Sequence, residues 1–311
     1  MKIVVTGALG HIGSRTIRAL PDLLPGLDIV MVDNLSTQRY ASLFNLPGSA
    51  SHHFIEGDVT VMDLKPVVTG ASAVIHLAAI TDATSSFENK NALERNNLEA
   101  TQRVAEACGE AGAALIYPSS TSVYGTQSKV VDEDCPISDL KPQSPYAETK
   151  LREEELVSTL AGQGLRAISC RLGTIFGVSS GMRFHTAVNK FCWQAVMGQP
   201  VTVWRTAYEQ RRPYLDLGDA VRAFAFFIEN GLFDGRIYNI VTCNSSVRQV
   251  VDYIRTHLPD LRIEFVDTRI MNQLSYDVIN TRLNQTNFKC TGDMAQGIAE
   301  TIAYLRRANA H

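Results

Sequence analysis

The sequence predicts an α/β fold, a doubly wound parallel sheet followed by a smaller C-terminal α/β part. Three observations support this prediction. Short apolar runs alternate with longer amphipathic stretches up to about residue 171, the apolar runs are almost uninterrupted, and a glycine-rich loop follows the first of them. Such alternation is typical of parallel strands that are covered by helices on both faces.

Six strands and three helices are predicted in this first unit. The strands are short runs rich in valine, isoleucine and alanine, which suit a sheet that is buried on both faces. We expect them at residues 2–6, 28–32, 53–56, 73–76, 114–117 and 166–171. The helices are longer stretches whose apolar residues recur at helical spacing. We expect them at residues 11–20, 90–111 and 145–163.

The pattern loosens after residue 171. We expect helices at 186–197, 219–230 and 247–257 and a short strand at 238–241. Asp219 is predicted to cap the second of these helices, and Gly231 to follow its last turn. Either Ser245 or Ser246 is predicted to cap the third.

Composition excludes several classes of protein. The 311 residues are 45% hydrophobic and 20% charged, which is ordinary globular usage. Lys and Arg number 29 against 32 Asp and Glu, a net charge of −3 that does not suit a nucleic-acid binder. The first apolar run is too short for a signal peptide or a membrane span, so we expect a cytoplasmic protein. The six cysteines and seven histidines show no metal-binding spacing, and free thiols are expected.

The glycine-rich loop predicts a dinucleotide site in a Rossmann-type domain. It runs Thr6-Gly7-Ala8-Leu9-Gly10-His11-Ile12-Gly13 between the first strand and the first helix. Gly7 permits a tight turn, Gly10 leaves room for a pyrophosphate, and Gly13 lets the helix approach the sheet. The phosphates would then lie at the helix N-terminus, whose N–H groups favour negative charge. The alternative is a glycine-rich turn without a ligand.

Two aspartates are predicted to contact the adenosine half of this dinucleotide. Asp33 ends the second strand, 20 residues after Gly13. A carboxylate there can accept both ribose hydroxyls and repels a 2′-phosphate, which favours NAD over NADP. A turn or cap role for Asp33 is the alternative, and the nearby Arg39 would soften the preference. Asp58 either reaches the adenine amino group or closes a turn.

A tyrosine and a lysine four residues apart predict proton transfer. Tyr146 and Lys150 stand at the start of a predicted helix, on one face. A phenol with its ordinary pKa of about 10 is a poor base, but a nearby ammonium and a positively charged nicotinamide favour the phenolate. Tyr146 can then take a proton from a substrate hydroxyl. Ser120, after the fifth strand, can hydrogen-bond the same oxygen at the ligand-binding edge of the sheet.

Taken together, these motifs resemble the extended short-chain dehydrogenase/reductase family, in its sugar-nucleotide epimerase and dehydratase branch. The resemblance covers nearly the whole chain. Besides the glycine loop it rests on Asp33-Asn34-Leu35, Gly57-Asp58-Val59, His76-Leu77-Ala78-Ala79, Asn96-Asn97, Ser119 to Gly125, Ser144 to Lys150, Arg171 to Gly177 and Arg212 to Ala220.

The resemblance implies a role for each matching residue. Tyr146 is the catalytic base, Lys150 tunes it and binds the nicotinamide ribose, and Ser120 or Ser122 bonds the reacting oxygen. Contacts with the cofactor are implied for Gly7, Gly10, His11, Ile12, Gly13, Asp33, Asn34, Asp58, Val59, Leu77, Ala78, Ala79, Asn97, Tyr146 and Lys150. Contacts with the substrate are implied for Thr81, Thr174, Arg183, Arg212 and Arg269, of which Arg212 suits a diphosphate.

The chain departs from the family pattern at informative positions. Dehydratases of this branch carry Asp-Glu where this chain has Thr121-Ser122, and neither residue is an acid for the loss of water. Thr174 stands where epimerases often have an asparagine, and Pro213 where an aspartate is usual. The segment 178–185 is closer to GDP-heptose 4-dehydrogenases, in which case Arg183 helps to bind the nucleotide.

The resemblance implies an NAD-dependent sugar-nucleotide 4-epimerase that passes through a 4-keto intermediate, by hydride transfer to and from tightly bound NAD. The alternatives are a sugar-nucleotide 4-dehydrogenase/reductase, a small-alcohol or steroid dehydrogenase, and a non-catalytic NAD-sensing scaffold. Residues 1–171 would form the NAD-binding domain, to which the chain returns within 210–241, and 172–311 would mainly bind the substrate. The family also implies a homodimer through the helices at 90–111 and 145–163, and neither a membrane nor a nucleic-acid partner is expected.

Overall fold

The structure, a computed structural model, describes residues 1–81, 90–125, 129–267 and 275–307. Its strands are β1 (Lys2–Thr6), β2 (Asp28–Asp33), β3 (Ser51–Glu56), β4 (Ala73–His76), β5 (Ala114–Ser120), β6 (Val130–Val131), β7 (Ala167–Leu172), β8 (Thr174–Phe176), β9 (Val201–Trp204), β10 (Arg211–Asp216), β11 (Ile237–Ile240), β12 (Cys243–Ser246), β13 (Ile263–Val266) and β14 (Asp277–Val278). Its helices are α1 (His11–Leu23), α2 (Lys65–Val68), α3 (Lys90–Ala111), α4 (Pro145–Gly162), α5 (Ala187–Val196), α6 (Leu217–Glu229), α7 (Val247–His257), α8 (Thr281–Asn284) and α9 (Met294–Arg306). Within the described ranges, no helix is both long and apolar enough to cross a membrane.

A seven-stranded parallel sheet organises the molecule, as the sequence predicts. Its order is β3-β2-β1-β4-β5-β7-β11. The chain winds outward from β1 in both directions, so a crevice opens beyond the carboxyl ends of β1 and β4. β5 runs three residues beyond its predicted end, which carries Ser120 to this edge beside Leu172 of β7.

The smaller part contains the three predicted helices, observed as α5, α6 and α7, together with short strands that the sequence did not predict. β8, β10 and β12 form a three-stranded sheet, β9 pairs with β13, and β6 pairs with β14. These strands have two to six residues, and such short runs carry little periodicity. The helix α9 also escaped prediction, although Ile298, Ile302 and Leu305 lie at helical spacing and are buried against α5 and α7.

One predicted cap is wrong. The helix α6 begins at Leu217, two residues before the predicted start, and its N-cap is Asp216, whose Oδ1 accepts hydrogen bonds from the Gly218 and Asp219 amides at 2.7 and 3.2 Å. Asp219 instead accepts from the Thr242 hydroxyl and from two loop amides beyond α8. The error arose because either aspartate satisfies the local cap pattern, and only the tertiary partners of Asp219 separate them.

Other local predictions are confirmed. Gly231 follows α6 with a φ of +60°, a conformation that suits glycine at a helix end. Of the two serines, Ser246 caps α7, and Gln249 completes a capping box with it. All six cysteines are free thiols.

Candidate active site

The glycine loop brings the start of α1 close to the edge of the sheet. Gly7 has a φ of +64°, and a Cβ atom there would lie 2.6 Å from backbone atoms of Leu77 and Ala78. A Cβ on Gly13 would lie 2.4 Å from the Gly7 carbonyl oxygen. Among the described residues, no side chain caps α1. The N-cap residue is Gly10, which has no side chain, so the first amides of this helix can bind a phosphate.

The Asp33 carboxylate lies at the end of β2, beside the glycine loop. Its two oxygens accept hydrogen bonds from the Leu9 amide at 3.0 Å and the Leu35 amide at 2.9 Å. The charge is thus fixed at the place where a ribose diol would lie. Burial lowers the pKa of Arg39, and Asp33 partly offsets this effect. Asp33, which favours NAD, and Arg39, which would soften that preference, are therefore close enough to interact.

Asp58 closes the turn after β3 and also faces Asn34. It accepts hydrogen bonds from the amide and hydroxyl of Thr60 at 2.9 and 2.7 Å, and these bonds lower the pKa of its carboxyl group. Its second oxygen accepts from Asn34 Nδ2 at 3.1 Å. The turn role is present in the structure, and Val59 is buried behind it.

The other wall of the crevice is formed by the chain that leaves β4. Leu77 and Ala78 face Gly7, as described above, and Ala79 follows them. The Asn97 side chain in α3 accepts from the Ile80 amide at 2.8 Å and donates to the Ile80 carbonyl at 2.9 Å. Close backbone, an open helix N-terminus and a carboxylate at the end of β2 together fit a dinucleotide.

Tyr146 and Lys150 lie on the first turns of α4, which Ser144 caps. Tyr146 is half-buried, whereas Lys150 is only 4% exposed. The Lys150 ammonium donates to the Tyr117 hydroxyl and to the Pro118 carbonyl, both at 3.2 Å. The lysine is therefore held against β5, next to the end of the strand that carries Ser120.

Burial and three neighbouring charges set the electrostatic balance at Tyr146. Burial raises the pKa of the Tyr146 phenol, and Glu153 raises it further. Lys150 and Arg183 lower the pKa, but they do not outweigh the desolvation. The protein alone thus keeps the phenol protonated, and formation of the phenolate needs further positive charge in the crevice.

Ser120 and Ser122 form one unit in the turn after β5. Ser120 Oγ accepts hydrogen bonds from the Ser122 amide at 3.2 Å and from the Ser122 hydroxyl at 2.9 Å. In both bonds the Ser120 oxygen is the acceptor, so its own O–H can donate to another group. Ser120 therefore suits a donor role toward a substrate oxygen, and Ser122 orients it.

The predicted substrate residues lie on two sides of the crevice. Arg183 donates to the Thr81 hydroxyl and lies 3.5 Å from the Thr81 carbonyl, so these two positions are brought together. Arg212 donates to Gln210 Oε1 at 2.8 Å and stacks on the Tyr276 ring, with 5.5 Å between guanidinium and centroid. Tyr276 in turn donates to the Thr121 carbonyl at 3.2 Å, which places Arg212 near the Ser120 turn.

The structure says less about the other two predicted substrate residues, Thr174 and Arg269. Thr174 is half-buried in β8 and pairs with Tyr214 of β10. Arg269 lies outside the described residues.

His11 joins the glycine loop to the segment after β8. Its Nδ1 lies 2.7 Å from the Ser179 hydroxyl, and its Nε2 lies 3.2 Å from the Asn189 amide nitrogen. Gly181 packs so closely that a Cβ would lie 2.2 Å from the Leu9 carbonyl oxygen. Burial and Arg183 lower the pKa of His11 to about 3, so the ring is neutral. No local pattern predicts these contacts, because Ser179 and Asn189 lie 168 and 178 residues from His11 in the chain.

A buried ionic network beneath Lys150 was also missed. The carboxylate of Glu154 accepts hydrogen bonds from Arg171 at 2.9 and 2.7 Å and from the Ser119 hydroxyl. Glu153 accepts from the Thr101 hydroxyl and lies 3.3 Å from Lys150. Glu153 and Glu154 follow Lys150 by three and four residues and so share its helix face. This spacing is the feature of the sequence that could have predicted the network.

His76 predicts a loss of stability in acid. It is buried at the end of β4, 2.8 Å from the Thr6 hydroxyl, and burial followed by Lys150 lowers its pKa to about 3. The unfolded chain binds a proton near pH 6.5 and the folded chain does not, so stability is full above pH 6.5 and falls as the pH drops toward 3. This group should remove about 2 kcal/mol of unfolding free energy between pH 7 and pH 5.

Urea unfolding of wild type and His76→Gln at pH 7 and pH 5 measures this effect. We expect the variant to lose less stability on acidification than the wild type, while His257→Gln, at an exposed position, behaves as wild type. Equal acid sensitivity of wild type and His76→Gln would contradict the prediction.

Comparison with known proteins assigns the family. A family model described as the NAD dependent epimerase/dehydratase family matches residues 3–241. The chain is 29% identical to the trifunctional UDP-glucose 4,6-dehydratase/UDP-4-keto-6-deoxy-D-glucose 3,5-epimerase/UDP-4-keto-L-rhamnose-reductase of Arabidopsis thaliana, over 96% of this chain and 46% of that protein. It spans about half the length of such plant relatives.

Two further proteins are similar over most of their own length. The uncharacterized UDP-glucose epimerase YtcB of Bacillus subtilis (strain 168) is 29% identical over 82% of this chain and 81% of that protein. A solved structure of MoeE5 in complex with UDP-glucuronic acid and NAD is 29% identical, with a TM-score of 0.84 over 99% of this chain and 100% of that one. The match over residues 3–241 shows that the chain belongs to the NAD-dependent epimerase/dehydratase family.

Proposed function

We propose that this chain is a nucleotide-sugar 4-epimerase. The carrying observation is the arrangement at the crevice: Tyr146 and Lys150 on α4 lie beside the Ser120 turn, and the two residues after Ser120 bring no acid. Oxidation at the sugar C4 and return of the hydrogen to the other face need one base and one hydrogen-bond donor. This set is what the described residues supply.

Each residue then has a defined task. The Tyr146 phenolic oxygen takes the proton of the 4-hydroxyl group and later returns it. The Ser120 hydroxyl donates to the same sugar oxygen and stabilises its developing charge. Lys150, held by β5, binds the nicotinamide ribose and favours the phenolate. NAD, when bound, supplies the hydride acceptor that oxidation at C4 requires.

The neighbouring side chains argue against the loss of water. Thr121 is buried, and its hydroxyl donates to the Leu172 carbonyl at 3.2 Å. Ser122 is engaged with Ser120. Neither position offers a carboxylic acid to protonate a leaving hydroxyl at C6. This favours epimerisation over dehydration, although dehydratases occur among the relatives.

Product analysis with nucleotide sugars tests the proposal. UDP-glucose and UDP-glucuronic acid come first, because the names of similar proteins include them, and GDP-, CDP- and dTDP-sugars follow. We expect NMR spectra to show the C4 epimer of one of them without net reduction of NAD. Stoichiometric NADH would identify a 4-dehydrogenase instead, and a 4-keto-6-deoxy product would identify a dehydratase. Either result overturns the proposal.

Arg212→Met should weaken substrate binding. A guanidinium that meets a diphosphate contributes about 1.5–3 kcal/mol, so KM should rise about 10–100-fold with little change in kcat. Steady-state kinetics measure both constants. The control is Arg211→Met, because Arg211 is adjacent in β10 but exposed and paired with Asp277. Equal effects of the two substitutions would remove Arg212 from the proposed site.

The remaining expectations from the sequence are part of the proposal. The cofactor would be bound by residues 1–171, with β11 completing their sheet, and the substrate mainly by residues 172–311. A homodimer would pair α3 and α4 of two copies. The dimer and a cytoplasmic location stay predictions.

A further inference from the structure

Glu153 is a buried carboxylate to which the proposed chemistry assigns no task. It stands on α4, three residues after Lys150, and is 1% exposed. Its Oε2 lies 3.3 Å from the Lys150 ammonium. Its Oε1 accepts a hydrogen bond from the Thr101 hydroxyl of α3. The carboxylate is thus fixed between the lysine and a neighbouring helix.

Glu153 is the charged partner of Lys150. Among the described residues, the ammonium also donates to the Tyr117 hydroxyl and the Pro118 carbonyl, which are neutral. A buried ammonium without an opposite charge is costly, because neutral dipoles replace water only in part. In this site the opposite charge comes from the residue that faces the lysine across one helical turn.

We propose that Glu153 is a positioning residue, whose carboxylate fixes the Lys150 ammonium against β5 and takes up part of the positive charge that Tyr146 would otherwise face. This inference rests on the proposed roles of Tyr146 and Lys150. The positive charge of Lys150 then stabilises the Glu153 carboxylate as well as the Tyr146 phenolate. The phenolate then forms mainly when a bound cofactor adds positive charge, which restrains the base in the free enzyme.

The surrounding groups do not replace Glu153 in this role. Within residues 1–81, 90–125, 129–267 and 275–307, the titratable or charged side chains that face the cluster are His76 on β4, Tyr117 on β5, Arg171 on β7, Arg183 after β8 and Glu154 on α4. Glu154 is bound to Arg171. His76 has a pKa of about 3, and burial together with Glu153 raises the pKa of Tyr117 well above that of an ordinary phenol. His76 and Tyr117 are therefore both neutral at neutral pH.

Titration of Tyr146 in the NAD-loaded protein tests the inference. The tyrosinate absorbance of each protein is followed against pH, and the same protein carrying Tyr146→Phe is subtracted. We expect Glu153→Gln to lower the midpoint by about 1–2 pH units, because the Glu153 charge opposes ionisation of Tyr146 and is paired with the Lys150 ammonium, which favours it. Glu153→Ala should shift the midpoint in the same direction, and its small apolar side chain needs no buried partner.

The control is Glu155→Gln, which removes the same charge from the same helix at an exposed position and should leave the midpoint unchanged. Thermal melting confirms that each variant is folded, and a variant that has lost its fold is set aside in favour of the other. An unchanged midpoint overturns the inference. A raised midpoint also overturns it, because it would mean that Lys150 gives up its charge once Glu153 is removed. The titration needs no sugar substrate. A protein that shows the expected shift but turns over no nucleotide sugar would therefore contradict the proposed function and leave the inference about Glu153 intact.

Discussion

Tyr146→Phe should reduce turnover of the nucleotide sugar by about 10²–10⁴-fold, because the substitution removes the oxygen that takes the substrate proton and leaves the ring in place. The bound cofactor should remain, since the glycine loop, Asp33 and Lys150 are untouched. Two measurements check the prediction: the initial rate with the substrate found above, and the amount of NAD released from the denatured protein.

Tyr238→Phe is the matched control for this experiment. The Tyr238 hydroxyl donates to Asp234 at 2.8 Å, so the control also loses one phenolic hydrogen bond. Tyr238 lies on β11, at the edge of the large sheet, and its ring packs on Phe227 of α6. We expect it to retain wild-type activity. Full activity of Tyr146→Phe would exclude the phenol as the base.

Arg171→Met should destabilise the fold by about 3–5 kcal/mol. Arg171 and Glu154 are each 3% exposed, and two hydrogen bonds join the guanidinium to the carboxylate. The substitution leaves the Glu154 charge buried, and the Ser119 hydroxyl is then its one remaining hydrogen-bond donor within the described part of the chain. Urea unfolding at pH 7 measures the change in unfolding free energy. We expect the protein that stays folded to keep its activity, because the substitution leaves the residues of the crevice in place.

Two comparisons separate the lost charge from the lost packing. The double variant Arg171→Met/Glu154→Leu should recover much of the stability, because neither charge is then buried alone. Arg255→Met removes an exposed ion pair with Asp252 and should cost at most about 1 kcal/mol. A single Arg171 variant as stable as the wild type would show that the buried pair contributes nothing.

The sequence predicted the sheet well because each strand carries its own signal. Strands such as Ala73–His76 are continuous apolar runs, and the loop from Thr6 to Gly13 combines its glycines with the strand and helix they require. The four-residue spacing of Tyr146 and Lys150 likewise needs only a helix to become a shared face. Elements in the smaller part are shorter, and α6 carries two aspartates that each fit a cap.

The sequence by itself determined the fold class, the family resemblance and the pair Tyr146 and Lys150, because these depend on local periodicity and on spacing within single elements. Tertiary structure decided what surrounds them. Tyr146 lies in a site where desolvation outweighs the lysine, His11 meets Ser179 from 168 residues away, and Glu153 becomes the counter-charge of Lys150. The physical reason is that charge balance and burial are properties of groups brought together in space, and the spacing along one element does not encode which distant groups meet there.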